Sequence, residues 1–207
     1  MDLFAEGQIT GNFIEPSFEL IDTFNIYWSS IMPLGSKGNM AYPFPRLHND
    51  GVWKLIPNPG YEGRINIESI CSIVKLREIC AGAKFEDDLF NLLIQPGTRE
   101  HLRAVLVNTY FAEEFRPRVV ECGNVNLRAY KYSKELLKEV KDSKKQWDKF
   151  GSDEKEKMVR DQGFRKAIVN LYEHRCSLCG IRMLTPEGHT IVDAAHVKPW
   201  NENHDDR

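Results

Sequence analysis

The sequence lacks several features that would assign a protein to a broad class at once. No apolar run approaches the ~20 residues that a transmembrane helix needs, and the chain does not open with the pattern of a signal peptide. The formal net charge of −2 gives no overall basic excess, so contacts to nucleic acid would have to come from local patches. The five cysteines are odd in number and include only one close pair, which fits a reducing cytoplasm better than a disulfide framework. We therefore expect a cytoplasmic protein with no membrane partner.

The composition is that of a globular protein with both helices and strands. Hydrophobic residues make up 42% and charged residues 28% of the 207 residues, which suffices for one large or two small domains with proper cores. Apolar residues at helical spacing predict a helix over 16–31, and a second helix over 98–111 with Thr98 as its N-cap. Alternating β-formers predict strands over 52–55 and 64–74. An α+β fold is expected.

The last part of the chain carries the most distinctive motif. Cys176 and Cys179 form a C-x-x-C pair followed by glycine, a spacing typical of a metal knuckle. Two short β-rich runs follow, 181–184 and 190–197, and the Thr-Pro-Glu-Gly connection between them predicts a hairpin. The second run contains Ala-Ala-His at 194–196, where two small side chains leave room for a phosphate to approach the imidazole.

These residues resemble the first half of an HNH (ββα-metal) nuclease domain, in the version that reads C-x-x-C-G and then G-H-x-x-V-D-A-A-H. The resemblance implies that His196 is the general base that activates water against a phosphodiester, with a divalent metal ion such as Mg²⁺ as cofactor. An imidazole group titrates near neutral pH, which suits this role. The family continues into a helix with further histidines beyond the last residue of this sequence, so we expect a C-terminally incomplete domain. Asn203 and His204 lie in a polar turn and do not complete the motif.

The cysteine pair also suits two ligands of a structural Zn²⁺ ion. A tetrahedral zinc site needs four ligands, and the sequence contains no second C-x-x-C. The remaining candidates within the chain are His174 and His189.

Asp193 lies close to the predicted general base but on the other face of the predicted strand. It is three residues from His196, and in a pleated strand an odd separation places two side chains on opposite faces. We therefore expect the two residues not to share a metal ion. We expect Asp193 to pair with His189, or with Arg182 across the hairpin.

A second informative stretch runs from residue 40 to residue 55. Its two prolines, Pro43 and Pro45, exclude a helix interior and a central strand. Asn49-Asp50-Gly51 predicts a tight turn ahead of the strand at 52–55. We expect three apolar side chains of this stretch in the core and three other residues at the surface. The core set is Phe44, Leu47 and Trp53, and the surface set is Tyr42, Pro43 and Arg46.

This stretch lies upstream of the half HNH motif, and its residues occur in an order similar to that in the sulfur-binding domain of phosphorothioate-dependent (type IV) restriction endonucleases. In that family a shallow apolar cavity with a Tyr-Pro pair receives the sulfur atom that replaces one backbone phosphate oxygen. The resemblance implies DNA- and sulfur-binding roles for Tyr42, Pro43, Arg46, Asn49 and Asp50. Sulfur is large, polarisable and poorly hydrated, so an apolar proline ring favours it over a phosphate oxygen. Arg46 departs from the pattern, because a smaller side chain would line the cavity there.

Three parts are expected along the chain. Residues 1–130 would form the modified-DNA-reading domain, truncated at its N-terminus because residues 1–7 read as the last turns of a helix with Gly7 as its C-cap. Residues 131–172 are rich in lysine and acidic residues, which predicts a helical linker. Residues 173–207 would form the first half of the nuclease domain.

The leading interpretation is a restriction endonuclease that recognises modified, phosphorothioated double-stranded DNA and cleaves it. Two alternatives stay open: a DNA reader with an incomplete or inactive nuclease half, and an HNH nuclease whose first domain reads another modification. A homodimer also stays open.

Overall fold

The computed structural model describes residues 1–63, 65–139 and 153–196, and the fold is α+β. The helices are α1 (Asp2–Ala5), α2 (Phe18–Ile31), α3 (Pro43–Arg46), α4 (Ile73–Ile79), α5 (Asp87–Ile94), α6 (Pro96–Tyr110), α7 (Arg116–Glu139) and α8 (Glu154–Leu171), and the strands are β1 (Trp53–Pro57) and β2 (Cys80–Phe85). Short 3-10 turns cover Leu47–Asp50 and Ile67–Ser69. None of the helices in this described part combines the length and the apolarity that crossing a bilayer demands.

The chain divides into two compact units. The first comprises Met1–Cys122 together with Leu184–His189, and the second comprises Gly123–Met183 together with the residues from Thr190 onward. The N-terminal segment of the first unit ends at Cys122. The described residues of the expected linker are helical and fall within the second unit.

Two helices near the N-terminus form where the sequence predicts them. The Ser17 hydroxyl accepts a hydrogen bond from the Leu20 N–H at 3.2 Å, which satisfies one free donor in the first turn of α2. The side chain of Ile21, in the first unit's core, is 1% exposed. Gly7 follows the end of α1 with φ +69°, the left-handed conformation that favours glycine after a helix.

The core of the first unit is built on a two-stranded antiparallel sheet. β1 pairs with β2 in a register that places Trp53 opposite Phe85, and Ile14 forms an isolated bridge with Ala83. The Trp53 ring packs edge-on against Phe44 at 5.2 Å and against Phe85 at 4.7 Å between ring centroids. These aromatic contacts fix the start of β1 relative to the segment that precedes it.

The predicted strand over 64–74 is wrong. The chain there forms the 3-10 turn Ile67–Ser69 and then α4, whose first turn is capped by Ser72 as its hydroxyl accepts from the Lys75 N–H at 3.1 Å. Buried Ile73, Leu76 and Ile79 recur at helical spacing. Burial of that apolar face outweighs the β preference of the branched residues.

Thr98 is not the N-cap of α6. Its hydroxyl donates to the carbonyl oxygens of Leu92 and Gln95, and the helix begins at Pro96, whose missing N–H suits a first helical position. The helix itself is confirmed and ends at Tyr110.

The predicted hairpin is confirmed in its turn and wrong in its strands. The Gly188 N–H donates to the Thr185 carbonyl at 2.9 Å, and the Thr185 N–H donates to the His189 carbonyl at 2.8 Å. Beyond the turn, the described residues of 181–184 and 190–196 show only single bridge positions at Leu184 and Thr190. Too few ladder hydrogen bonds form for regular strands.

In the second unit, α7 and α8 approach each other closely at a glycine. A Cβ atom added to Gly163 would lie 2.7 Å from the Ala129 carbonyl oxygen and 2.7 Å from the Tyr132 ring. This approach lets a small apolar cluster form between the helices. Its buried members are Tyr132, Leu136, Phe164 and Ala167, with Leu137, Ile168 and Ala194 packed against them.

Candidate functional site

The first part of the candidate site is the Tyr42–Asp50 segment of the first unit, which presents apolar side chains outward from a buried base. Pro43 opens the one-turn helix α3, where a helix leaves the backbone N–H unpaired in any case. Tyr42 is 48% exposed and Pro43 is exposed, whereas Phe44 and Pro45 are buried. The rigid Pro43 ring thus lies at the surface, as expected.

Arg46 lies beside the Tyr42 ring. Its Nη1 donates to the Tyr42 carbonyl oxygen at 3.0 Å, and its guanidinium carbon lies 5.5 Å from the centroid of the ring. Its Nη2 is 3.4 Å from a carboxylate oxygen of the exposed Glu68, so that ion pair is worth only about 0–1 kcal/mol. A phosphate could therefore compete with Glu68 for the guanidinium at little cost.

The predicted DNA-binding residues Asn49 and Asp50 are exposed in the 3-10 turn that follows α3, and with Arg46 they form a polar rim beside the Tyr42–Pro43 pair. Leu47 begins that turn and is 42% exposed, so its expected place in the core is wrong. The cause is local: the chain continues from α3 straight into the turn, and Phe44 and Trp53 occupy the buried positions instead.

His48 was not among the predicted site residues, yet it belongs to this exposed rim. Its Nδ1 is 3.1 Å from the Trp53 carbonyl oxygen, and a carbonyl can only accept, so Nδ1 carries the proton. The other ring nitrogen, Nε2, is then left for a ligand. Its position in the sequence, directly before the predicted binding residues Asn49 and Asp50, could have identified His48 as part of the site.

The cysteine motif of the second unit adopts a knuckle. The Cys176 N–H donates to the Ile181 carbonyl at 3.0 Å, and the Gly180 N–H donates to the Cys176 carbonyl at 2.8 Å. The backbone N–H groups of Cys179 and Leu178 also point at the Cys176 sulfur and lower the pKa of its thiol. A thiolate is the form that binds metal, so this backbone favours a ligand role for Cys176.

His196 lies against α8 rather than standing free at the end of a strand. Its half-buried ring stacks on the Phe164 ring with 3.9 Å between centroids and an angle of 7° between planes. Ala194 packs against the apolar cluster of the second unit, and Ala195 is exposed. The sequence predicts a linker at Phe164 and gives no signal for this contact.

The predicted partners of Asp193 are wrong. An Asp193 oxygen accepts a hydrogen bond from Arg165 Nε at 2.9 Å. Arg182 instead donates to the carbonyl oxygen of Glu173, at 2.7 Å from Nη2. His189 belongs to the first unit, where its Nδ1 is 3.0 Å from the side-chain nitrogen of Asn25. The expected pairings assumed a regular hairpin, and the strands needed for them do not form.

The cysteine pair could supply two metal ligands, but the described residues do not form a complete metal site. Among residues 1–63, 65–139 and 153–196, no group of three or more His, Cys, Asp or Glu side chains is placed to hold a metal ion. His174, a predicted candidate, is 5% exposed, with its backbone in the left-handed region at φ +59°. The cysteines fit two of the four positions around zinc, and neither zinc nor a catalytic ion finds a full ligand set in this range.

Some residues named from the sequence lie outside the described ranges. They are residue 64 of the predicted strand, residues 140–152 of the expected linker, and residues 197–207, which include Asn203 and His204.

A scan of the chain against protein-family models and a search of curated proteins each found no match.

Proposed function

We propose that this protein recognises phosphorothioated double-stranded DNA through its first unit and hydrolyses DNA with an HNH-type centre around His196. The cytoplasmic location and the homodimer stay predictions from the sequence. Both halves of the proposal come from resemblances in sequence, and the geometry of the described residues supports them at separate places.

The observation that carries the proposal is the exposed Tyr42–Pro43 pair on a buried aromatic base. The next residue, Phe44, is buried against Trp53 and anchors the segment to the core, and the Pro43 ring is itself rigid. A rigid apolar surface loses little conformational entropy when a sulfur atom packs on it. A phosphate oxygen would lose hydration there without gaining a hydrogen bond.

The rim can hold the remaining atoms of the modified phosphate and its neighbours. Arg46 and Asn49 supply donors that suit phosphate oxygens. His48 Nδ1 donates to the Trp53 carbonyl, so its Nε2 is an acceptor that would meet a donor group of DNA. The Asp50 carboxylate can only accept hydrogen bonds, so its partner on DNA would be a base amino group.

The proposed reaction is hydrolysis of a phosphodiester. His196 takes a proton from water as the water oxygen bonds to phosphorus, and the bond from phosphorus to the leaving sugar oxygen breaks. The leaving oxygen takes its proton from solvent. A divalent ion such as Mg²⁺ stays part of the proposal as a cofactor, but the described residues form no ligand set for it, and no step is assigned to it.

Pro43→Ala is expected to narrow the preference for phosphorothioated over ordinary duplex of the same sequence. The lost contact is about the size of one or two methylene groups, worth about 1–2 kcal/mol or roughly five- to thirtyfold in Kd. Arg46→Ala should instead weaken binding to both duplexes and flatten its salt dependence, because its phosphate contact is common to both. Competition binding with the two duplexes at several salt concentrations measures both effects.

Pro59→Ala is the matched control for this experiment, since Pro59 is also exposed but lies in another loop of the first unit. It should leave the preference unchanged. If Pro43→Ala also leaves it unchanged, or if the parent protein shows no preference, the sulfur-reading part of the proposal is wrong and a reader of another modification takes its place.

We expect stoichiometric zinc in the full-length protein, bound through the cysteine knuckle. Cys176→Ser and Cys179→Ser should each abolish the zinc content, because each thiolate supplies one of four required ligands. Cys71→Ser is the control, since Cys71 is an exposed cysteine of the first unit. Metal analysis of the purified variants checks this, and zinc content that survives both knuckle substitutions would contradict it.

A further inference from the structure

Two adjacent residues of α8 contact the segment that carries His196. The Phe164 ring stacks on the His196 ring, and the Arg165 guanidinium pairs with Asp193 at 2.9 Å. Between these contacts, Ala194 packs against the apolar cluster of α7 and α8. The segment 193–196 therefore contacts α8 at Asp193 and at His196, and the apolar cluster at Ala194, although it forms no strand of its own.

The Phe164 side of this contact is rigid. Its side chain is 7% exposed and sits in the buried cluster of the second unit. The close approach of the helices at Gly163, the neighbouring residue, leaves no space for α8 to shift toward α7. Arg165 and Asp193 are 38% and 75% exposed in their side chains, so their ion pair is a weak restraint by comparison. Phe164 is thus the contact that can fix an orientation.

The stack fixes the plane of the imidazole by covering one of its faces. Two rings at an angle of 7° and a separation of 3.9 Å share a face, so one face of His196 is covered. Both nitrogens lie in the ring plane, so the stack itself does not cover them. A general base works only within hydrogen-bond reach of the proton it removes, and its orientation must be held.

We propose that Phe164 is a positioning residue for His196, setting the plane in which the imidazole meets the attacking water. This inference rests on the proposed nuclease function. It assigns to α8, which sequence reasoning took for part of a linker, the task of supporting the reactive histidine.

The test compares two substitutions of Phe164 in the full-length protein. Phe164→Leu keeps an apolar side chain but removes the ring, and it should lower kcat by about 10- to 100-fold with KM and DNA binding unchanged, since a base misplaced by about 1 Å can cost that much. Phe164→Tyr retains the ring and should restore most of the rate. Leu136→Ala is the control for general loosening, because Leu136 is buried in the same cluster and has no ring to stack.

A second measurement reads the stack without relying on activity. The ring current of Phe164 should move the His196 side-chain proton resonances upfield, and the shift should vanish in Phe164→Leu and persist in Phe164→Tyr and Leu136→Ala. His196→Ala assigns the resonances by removing them. Absence of the upfield shift in the parent protein would overturn the inference.

The outcomes distinguish failure of the positioning role of Phe164 from failure of the proposed nuclease function. If His196→Ala is inactive while Phe164→Leu cleaves at the parental rate, the positioning role is wrong and the proposed function stands. If Phe164→Leu and Leu136→Ala lose equal activity, Phe164 acts only through stability and the inference is again overturned. If His196→Ala cleaves like the parent, the proposed function itself fails.

Discussion

His196→Ala should reduce DNA cleavage by about a hundredfold or more while leaving DNA binding intact, since general bases contribute roughly that much to a rate. Alanine keeps the backbone of residues 193–196 and the contact of Ala194 with the apolar cluster, but it removes the group that takes the proton. Cleavage of labelled duplex under single-turnover conditions measures the rate, and binding in the absence of divalent metal measures Kd separately.

His101→Ala is the matched control, because His101 is exposed on α6 of the first unit. It should cleave like the parent. Added imidazole should partly restore cleavage by His196→Ala, as a free base can occupy the space left by the ring. Equal loss of binding and cleavage would assign His196 a folding role, and full activity would exclude it as the base.

Features fixed by neighbouring residues could be predicted from the sequence. The cap of α2 at Ser17, the glycine after α1 and the tight turn at Thr185–Gly188 each depend on contacts within a few residues. The same is true of Pro43, whose ring and lack of an N–H confine it to a helix start or a loop. These predictions are confirmed because no distant part of the chain has to be known.

Features decided by distant partners could not be predicted in the same way. β1 pairs with β2, although α4 lies between them in the sequence. The alternating pattern at 52–55 predicts a strand but does not identify the strand it pairs with. The described part of the β-branched run at 64–74 forms a 3-10 turn and the start of α4, and α4 forms because Leu76 and Ile79 find a buried surface. The strands predicted after the cysteine knuckle would need an extended ladder, and residues 193–196 contact α8 instead.

The candidate site also contains one feature set by neighbouring residues and one set by distant residues. Exposure of Tyr42 and Pro43 followed from local chemistry, and it was predicted. Support of His196 by Phe164 requires the fold of α7 on α8, and the high charge of that stretch concealed it. Its apolar residues are few, but a glycine contact lets them form a small core.

Gly163→Ala should lower the free energy of unfolding of the second unit by about 1–3 kcal/mol, the usual range for an overpacked contact. The added Cβ would lie 2.7 Å from both the Ala129 carbonyl oxygen and the Tyr132 ring. The carbonyl belongs to the backbone of α7, so the methyl group fits only if the two helices separate. The gain of about 1 kcal/mol in helix propensity that alanine brings offsets part of this cost. Urea denaturation followed by circular dichroism measures the change.

Gly97→Ala is the control that isolates packing from helix propensity. Gly97 lies in the first turn of α6, and a Cβ added there meets nothing within 4 Å. The same substitution should therefore stabilise the protein by about 0.4–1 kcal/mol, because it reduces the freedom of the unfolded chain. Opposite signs for the two variants follow only if α7 and α8 are in direct contact at Gly163. If both variants are stabilised, that contact is absent, and the surface that supports Phe164 and His196 is not formed as described.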